Sequence, residues 1–108
     1  MTGEPASRGR QWVLRAGTGT GGDALTFRLL PGHEKTVGRA KGVDFVVDAP
    51  LVSRVHCRVT AHPAGQLELE DLKSTNGTYV NDRRVDRATL RVGDRLRIGR
   101  VEFAVEQE

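Results

Sequence analysis

From Gln11 onward the chain is written in short stretches of period two. Leu25, Phe27 and Leu29 alternate with polar residues. Val43, Phe45 and Val47 alternate against Asp44 and Asp48, and Val55, Cys57 and Val59 against Arg54, His56 and Arg58. Leu67 and Leu69 face Glu68 and Glu70; Leu96 and Ile98 face Arg95 and Arg97; Val101, Phe103 and Val105 face Glu102, Ala104 and Glu106. Trp12 to Ala16 and Thr78-Tyr79-Val80 are two further candidates. Successive side chains of a strand point to opposite faces, so each stretch offers one wet and one dry face. Turn signals such as Pro31-Gly32 and Asn81-Asp82 end the runs. No segment sustains a helical period for three turns. Many short strands without helices predict an all-β chain, a sandwich or barrel whose inner faces share one core.

The 108 residues suit a single domain, and 37% apolar residues suffice for a modest core. Residues 1–10 are polar and aperiodic and are expected to form a disordered tail, with the domain over 11–108. No secretory leader, lipidation signal or membrane-length apolar run is visible. The default expectation is a cytoplasmic, monomeric protein without membrane contact. Cys57 is the single cysteine, so an intrachain disulfide is impossible. The formal net charge is +3, with Arg far outnumbering Lys. A basic, Arg-rich surface suits acidic partners and phosphate, although solvated surface charge and a GC-rich genome account equally for it.

Several chemical-looking motifs carry little. Gly17-Thr18-Gly19-Thr20-Gly21-Gly22 has the spacing of a phosphate-cradling loop, but no helix follows it. It is read as a flexible connection. His56 and Cys57, as strand neighbours, are expected to diverge, with Cys57 on the apolar face beside Val55 and Val59. One Cys and three scattered His do not assemble a structural metal site. The Asn76-Gly77-Thr78 sequon has no meaning without secretion. Glu68 and Glu70 read as a solvated strand face. Nucleic-acid binding is disfavoured, because single-strand binders need aromatic platforms and only five aromatics occur, several at core positions.

Four pieces remain: Gly38-Arg39, Ser53-Arg54-Val55-His56, Ser74-Thr75-Asn76-Gly77, and Asn81. Each falls at a strand end or in a turn, where binding residues concentrate. Arg39 supplies a permanent charge and paired N–H donors. Ser53 and Thr75 supply hydroxyls, Arg54 a second cation, and Asn76 an amide that both donates and accepts. Gly38 and Gly77 permit close backbone approach. No positioned base, nucleophile or metal accompanies them, so the set reads as a receptor for a phosphate monoester and not as a catalyst. Arg83, Arg84, Arg87 and Arg91 read as solvated hairpin surface first, and as a contact for an acidic peptide second.

In order and spacing these pieces resemble the forkhead-associated (FHA) family, from about Trp12 to Val105. Leu90, Val92-Gly93-Asp94 and Leu96-Arg97-Ile98-Gly99 look like that family's closing strands. The resemblance implies an FHA-like (SMAD/FHA-like) β-sandwich of about eleven strands with peptide-binding loops at one end. It implies a non-enzymatic phosphothreonine-peptide reader in Ser/Thr kinase signalling, with no cofactor. Arg39, Ser53 and Thr75 would hold the phosphate, and Arg54 the phosphate or a downstream residue. Asn76 would bind the peptide backbone. Gly38, His56, Ser74 and Gly77 would shape the loops, His56 as a hydrogen-bonded structural residue, and Asn81 would brace the site. Where the family often has Asn-Gly, this chain has Asn81-Asp82, which a type I′ hairpin turn also tolerates; where a small Ala is common, it has Cys57. The alternative is a scaffold of the same fold that binds partners without phosphate.

Overall fold

The computed structural model describes residues 10–17 and 24–108. The expected tail, apart from Arg10, and most of the glycine-rich segment lie outside the described residues. Arg10 donates from Nη2 to Gln107 Oε1 at 2.8 Å, at the end of the last strand.

Eleven strands form among the described residues: β1 (Trp12–Ala16), β2 (Leu25–Leu29), β3 (Glu34–Gly38), β4 (Phe45–Val46), β5 (Cys57–Ala61), β6 (Leu67–Asp71), β7 (Thr78–Val80), β8 (Arg83–Val85), β9 (Arg87–Leu90), β10 (Arg95–Ile98) and β11 (Val101–Gln107). They make two sheets. One has the order β2-β1-β11-β10-β7-β8 and the other β4-β3-β5-β6-β9. Every pairing is antiparallel except β3 with β4. Among the described residues no helix is long and apolar enough to cross a membrane.

The sandwich follows from the alternation. Leu96, Ile98, Val101, Phe103 and Val105 from one sheet are buried, as are Val37, Cys57, Val59, Leu67 and Leu69 from the other, and all belong to one core. At about 25 cal/mol per Å² of apolar surface withdrawn from water, this shared core is the main stabilising term. One side of the sandwich is closed by Phe27 of edge strand β2. It stacks on Phe45 of edge strand β4 with centroids 4.5 Å apart and rings 4° from parallel. Asn81 and Asp82 both take positive φ, 51° and 69°. They form the two-residue turn of the β7–β8 hairpin, the geometry that type I′ requires.

Three strands escape the alternation. β3 (EKTVG) buries only Val37 among its large apolar side chains, while β8 (RRV) and β9 (RATL) are charged strands at sheet edges. Edge strands carry charge because it discourages pairing with a second chain. Two expected stretches are shorter than their pattern. The Val43–Val47 run yields a strand only at Phe45–Val46, and the Val55–Val59 run begins its strand at Cys57. Val55 is accordingly 46% exposed, while His56 is fully buried, the reverse of the alternation. The cause is local: the Ser53 N–H donates to His56 Nδ1 at 3.0 Å, which curls the chain into a turn before the strand starts.

A candidate anion-binding site at one end of the sandwich

Three loops leave the sheets together: the one after β3, the long one between β4 and β5, and the one between β6 and β7. Between them lies an open depression of about 810 Å³. Arg39, Ser53, Arg54, Thr75 and Asn76 all line it, so residues spread over 38 positions of sequence meet on one surface.

The loops are fastened to one another below that surface. The backbone N–H of Arg39 donates to the Ser53 carbonyl at 2.9 Å, and that of Ala40 to the Arg54 carbonyl at 3.1 Å. Gly38 makes this approach possible, because a Cβ there would overlap the Arg54 carbonyl oxygen. His56 pins the second loop to the third. Its Nδ1 accepts from the Ser53 N–H, so the ring proton sits on Nε2 and is donated to the Gly77 carbonyl at 2.9 Å. The ring is a fully buried structural element.

Asp71, at the end of β6, organises the third loop. Its Oδ1 accepts from Ser74 Oγ at 2.6 Å and Thr78 Oγ1 at 2.7 Å, and its Oδ2 accepts from the Ser74 N–H at 3.2 Å. Ser74 Oγ in turn accepts from the Gly77 N–H at 3.0 Å. Burial opposes ionisation of Asp71, but the bonds from Ser74 and Thr78 outweigh it and hold the carboxyl below the usual range. Gly77 takes φ 90°, a left-handed conformation that closes the turn.

The surface groups are left uncommitted by this network. Arg39 uses only Nε, which donates to the Val52 carbonyl at 3.0 Å; both Nη groups have no protein partner among the described residues. Ser53 Oγ accepts from the Thr75 N–H at 3.0 Å and keeps its own hydrogen free to donate. Asn76 spends one N–H on the Leu51 carbonyl at 3.1 Å, leaving its Oδ1 free. Arg39, Arg54, Thr75 and Asn76 are exposed. The lining holds three cations, Arg39, Arg54 and Lys73, against the one carboxylate of Asp48. Such a surface attracts a compact polyanion and offers it donors in three directions.

Asn81 is not part of this assembly. It accepts from the Arg95 N–H at 2.9 Å through Oδ1 and donates from Nδ2 to Asp94 Oδ1 at 3.1 Å. β7 carries the chain from the Ser74–Gly77 loop to Asn81 at its far end, so this side chain braces the β7–β8 turn against β10 one strand length from the depression. The sequence reading missed Asp71 and Lys73. A carboxylate three residues before a serine, flanked by a strand, is a loop-capping signal; Lys73 carries no such signal. Cys57 is fully buried, and burial foremost, with the charge of Asp71 behind it, pushes its thiol up to about 12. It is a core residue with no nucleophilic role.

Known proteins resemble this arrangement. The FHA domain family model matches residues 35–99. The chain is 42% identical over 79 residues to the ABC transporter ATP-binding/permease protein Rv1747 of Mycobacterium tuberculosis, covering 73% of this chain and 9% of that protein. It is 36% identical over 108 aligned residues to the human E3 ubiquitin-protein ligase RNF8, covering 92% of this chain and 21% of that one. It thus spans a small part of either relative. A solved structure from a structural and functional analysis of phosphothreonine-dependent FHA domain interactions superposes with a TM-score of 0.78 at 32% identity, over 89% of this chain and 95% of that one.

Proposed function

This chain belongs to the FHA domain family, and from that premise we propose that the depression between its three loops receives a phosphothreonine side chain. The protein is a phosphothreonine-peptide binding module, an interaction domain that reads the products of Ser/Thr kinases. One observation supports the site assignment above the others: the Arg39 Nη groups and the Ser53 and Thr75 hydroxyl hydrogens, on three separate loops, line one depression and are free to donate.

A phosphate monoester carries about −1.5 to −2 charges and three acceptor oxygens, which these donors and Arg54 satisfy together. Asn76, fixed through Leu51, accepts and donates to the peptide backbone beside the phosphothreonine. Gly38, His56, Ser74 and Gly77 hold the loops at their spacing. A carboxylate offers one charge and two coplanar oxygens and leaves donors unpaired. The threonine methyl adds about 0.8 kcal/mol when buried and stiffens χ1 of the free ligand, favouring phosphothreonine over phosphoserine.

The test is fluorescence anisotropy with four versions of one peptide, bearing phosphothreonine, phosphoserine, Glu or unmodified Thr. Phosphothreonine should bind best, phosphoserine well behind it, and the other two at background. Equal binding of the Glu or unmodified peptide would sink the phosphate-reading site and favour a phosphate-independent scaffold.

A further inference from the structure

Two neighbouring carbonyls of the β4–β5 loop each hold one side chain of the site. The Leu51 carbonyl accepts from Asn76 Nδ2, and the Val52 carbonyl accepts from Arg39 Nε. Both belong to a tight turn, Ala49-Pro50-Leu51-Val52, closed by the Val52 N–H on the Ala49 carbonyl at 3.4 Å. Proline at its second position and a φ of 71° at its third, Leu51, are the marks of a type II turn. That third position suits Gly or Asn, and a leucine there is strained. The Leu51 side chain is 48% exposed, so its burial does little to hold the conformation. Such strain persists only where the surroundings impose it.

The β10–β11 turn lies against this strained turn. β10 ends at Ile98, opposite Thr78, the first residue of β7, so Gly99-Arg100 emerges at the same end of the sandwich as the three loops. Gly99 takes φ 59°. A Cβ on it would stand 2.9 Å from the Pro50 carbonyl oxygen, 3.1 Å from Val52 Cγ2 and 3.2 Å from the Leu51 carbonyl carbon. Two of these three atoms are backbone, so a side chain at this position displaces the turn itself and not the end of a flexible side chain. Gly99 does not line the depression, so any effect it has on a ligand passes through the residues it touches.

We propose that the β10–β11 turn is a fourth element of the binding site and that Gly99 is a positioning residue. It seats the Pro50-Leu51-Val52 turn, whose two carbonyls set Asn76 and Arg39 in place before a ligand arrives. This rests on the phosphothreonine reading of the depression. The bare glycine lets the two backbones touch, and the contact holds Leu51 in its left-handed conformation. A larger residue at 99 moves both acceptors together. Asn76 and Arg39 must then be ordered by the peptide, and ordering two rotamer-rich side chains lowers affinity about tenfold.

The experiment measures one phosphothreonine peptide by calorimetry on the wild-type chain, G99A, G99N and G93A, and records the Asn76 side-chain amide and Arg39 Nε–H signals of each free protein by NMR. Asn tolerates a left-handed φ better than Ala, so G99N separates the added Cβ from backbone strain. Gly93 takes φ 97° with nothing within 4 Å of a Cβ, so G93A reports strain alone. Both changes at Gly99 should weaken the peptide about tenfold and move the Asn76 and Arg39 signals toward those of freely mobile side chains. G93A should do neither. On an N76A background G99A should weaken binding only about threefold, the part that runs through Arg39. Wild-type affinity with unmoved signals in the Gly99 variants overturns the proposal. So does an equal loss in G93A, or a full tenfold loss on the N76A background, because the effect then bypasses Asn76. Where both Gly99 variants fail to fold, the free wild-type protein decides: an Asn76 amide as ordered as the backbone supports the preset site, and a motionally averaged one overturns it. A wild-type chain with no phosphate-dependent binding takes down the phosphothreonine reading instead, and the NMR arm still tests the turn.

Discussion

Asp71→Asn tests whether the candidate site is held together by a half-buried carboxylate. The amide keeps the shape of the carboxyl. With its oxygen in the place of Oδ1 it still accepts from Ser74 Oγ and Thr78 Oγ1, but as a neutral acceptor. Hydrogen bonds to a charged group contribute about 1.5–3 kcal/mol against about 0.5–1.5 for neutral ones, so these two lose about 2 kcal/mol together. The third bond reverses sign, because the amide NH2 then meets the Ser74 N–H and two donors face each other. The expected destabilisation is about 2–3 kcal/mol, a fall in Tm of roughly 10–20 °C for a domain of this size. Urea unfolding measures the first and calorimetry the second. The pH dependence gives an independent check. The folded-state pKa of Asp71 is lowered, so its contribution is fully present above the unfolded value, near 3.8, and is lost as pH falls through the folded value. The gap between wild type and variant should therefore be flat from neutral pH down to about 5 and close only in more acid solution. Phosphopeptide affinity should fall as well, because Ser74 and Gly77 set the positions of Thr75 and Asn76. A variant within about 0.5 kcal/mol of wild type would refute the reasoning, since that is the scatter of surface changes.

Arg39→Ala should abolish phosphopeptide binding with circular dichroism unchanged; removing one partner of a hydrogen-bonded ion pair costs about 2–5 kcal/mol, and near-wild-type calorimetric affinity would overturn the assignment. Asn76→Ala should weaken peptide binding by about 1–3 kcal/mol while leaving free phosphothreonine nearly unaffected, and an equal loss for both ligands would contradict its role. Gly38→Ala should destabilise the fold and disorder the β4–β5 loop, because its Cβ overlaps the Arg54 carbonyl; chemical shifts of Ser53–His56 that match wild type would refute the close approach.

The fold was legible because most of the core is written in alternation. Leu67, Leu69, Leu96, Ile98, Phe103 and Val105 all turn inward where the period says they should. Strands β3, β8 and β9 were not legible, because their pairing partners and not their own side chains hold them in place. Lys35 of β3, for example, stands opposite Val59 of β5 without being apolar itself. His56 shows the other limit. Periodicity assigned it to the wet face, yet the ring is buried, accepting from the Ser53 N–H and donating to the Gly77 carbonyl in a turn that precedes the strand. Asn81 shows that order along the chain does not report distance, since one three-residue strand carries it away from the loops it was grouped with.

The site divides its residues by burial, and the division has an energetic consequence. His56, Ser74 and Thr78 are buried and bonded to the backbone or to Asp71, whereas Arg39, Arg54, Thr75 and Asn76 are exposed and largely uncommitted. The buried set fixes the three loops before any ligand arrives. Binding then orders a few side chains and not the backbone, and each immobilised side chain costs about 0.5–1.5 kcal/mol where ordering a loop residue costs about 1–2 for the backbone alone. On the phosphothreonine reading proposed above, the free energy gained from phosphate contacts goes into affinity and not into folding the loops. The same division explains why the half-buried Asp71 acts on the exposed surface only through others: its hydrogen bonds end on Ser74 and Thr78, and the chain between those two carries Thr75 and Asn76 at the depression.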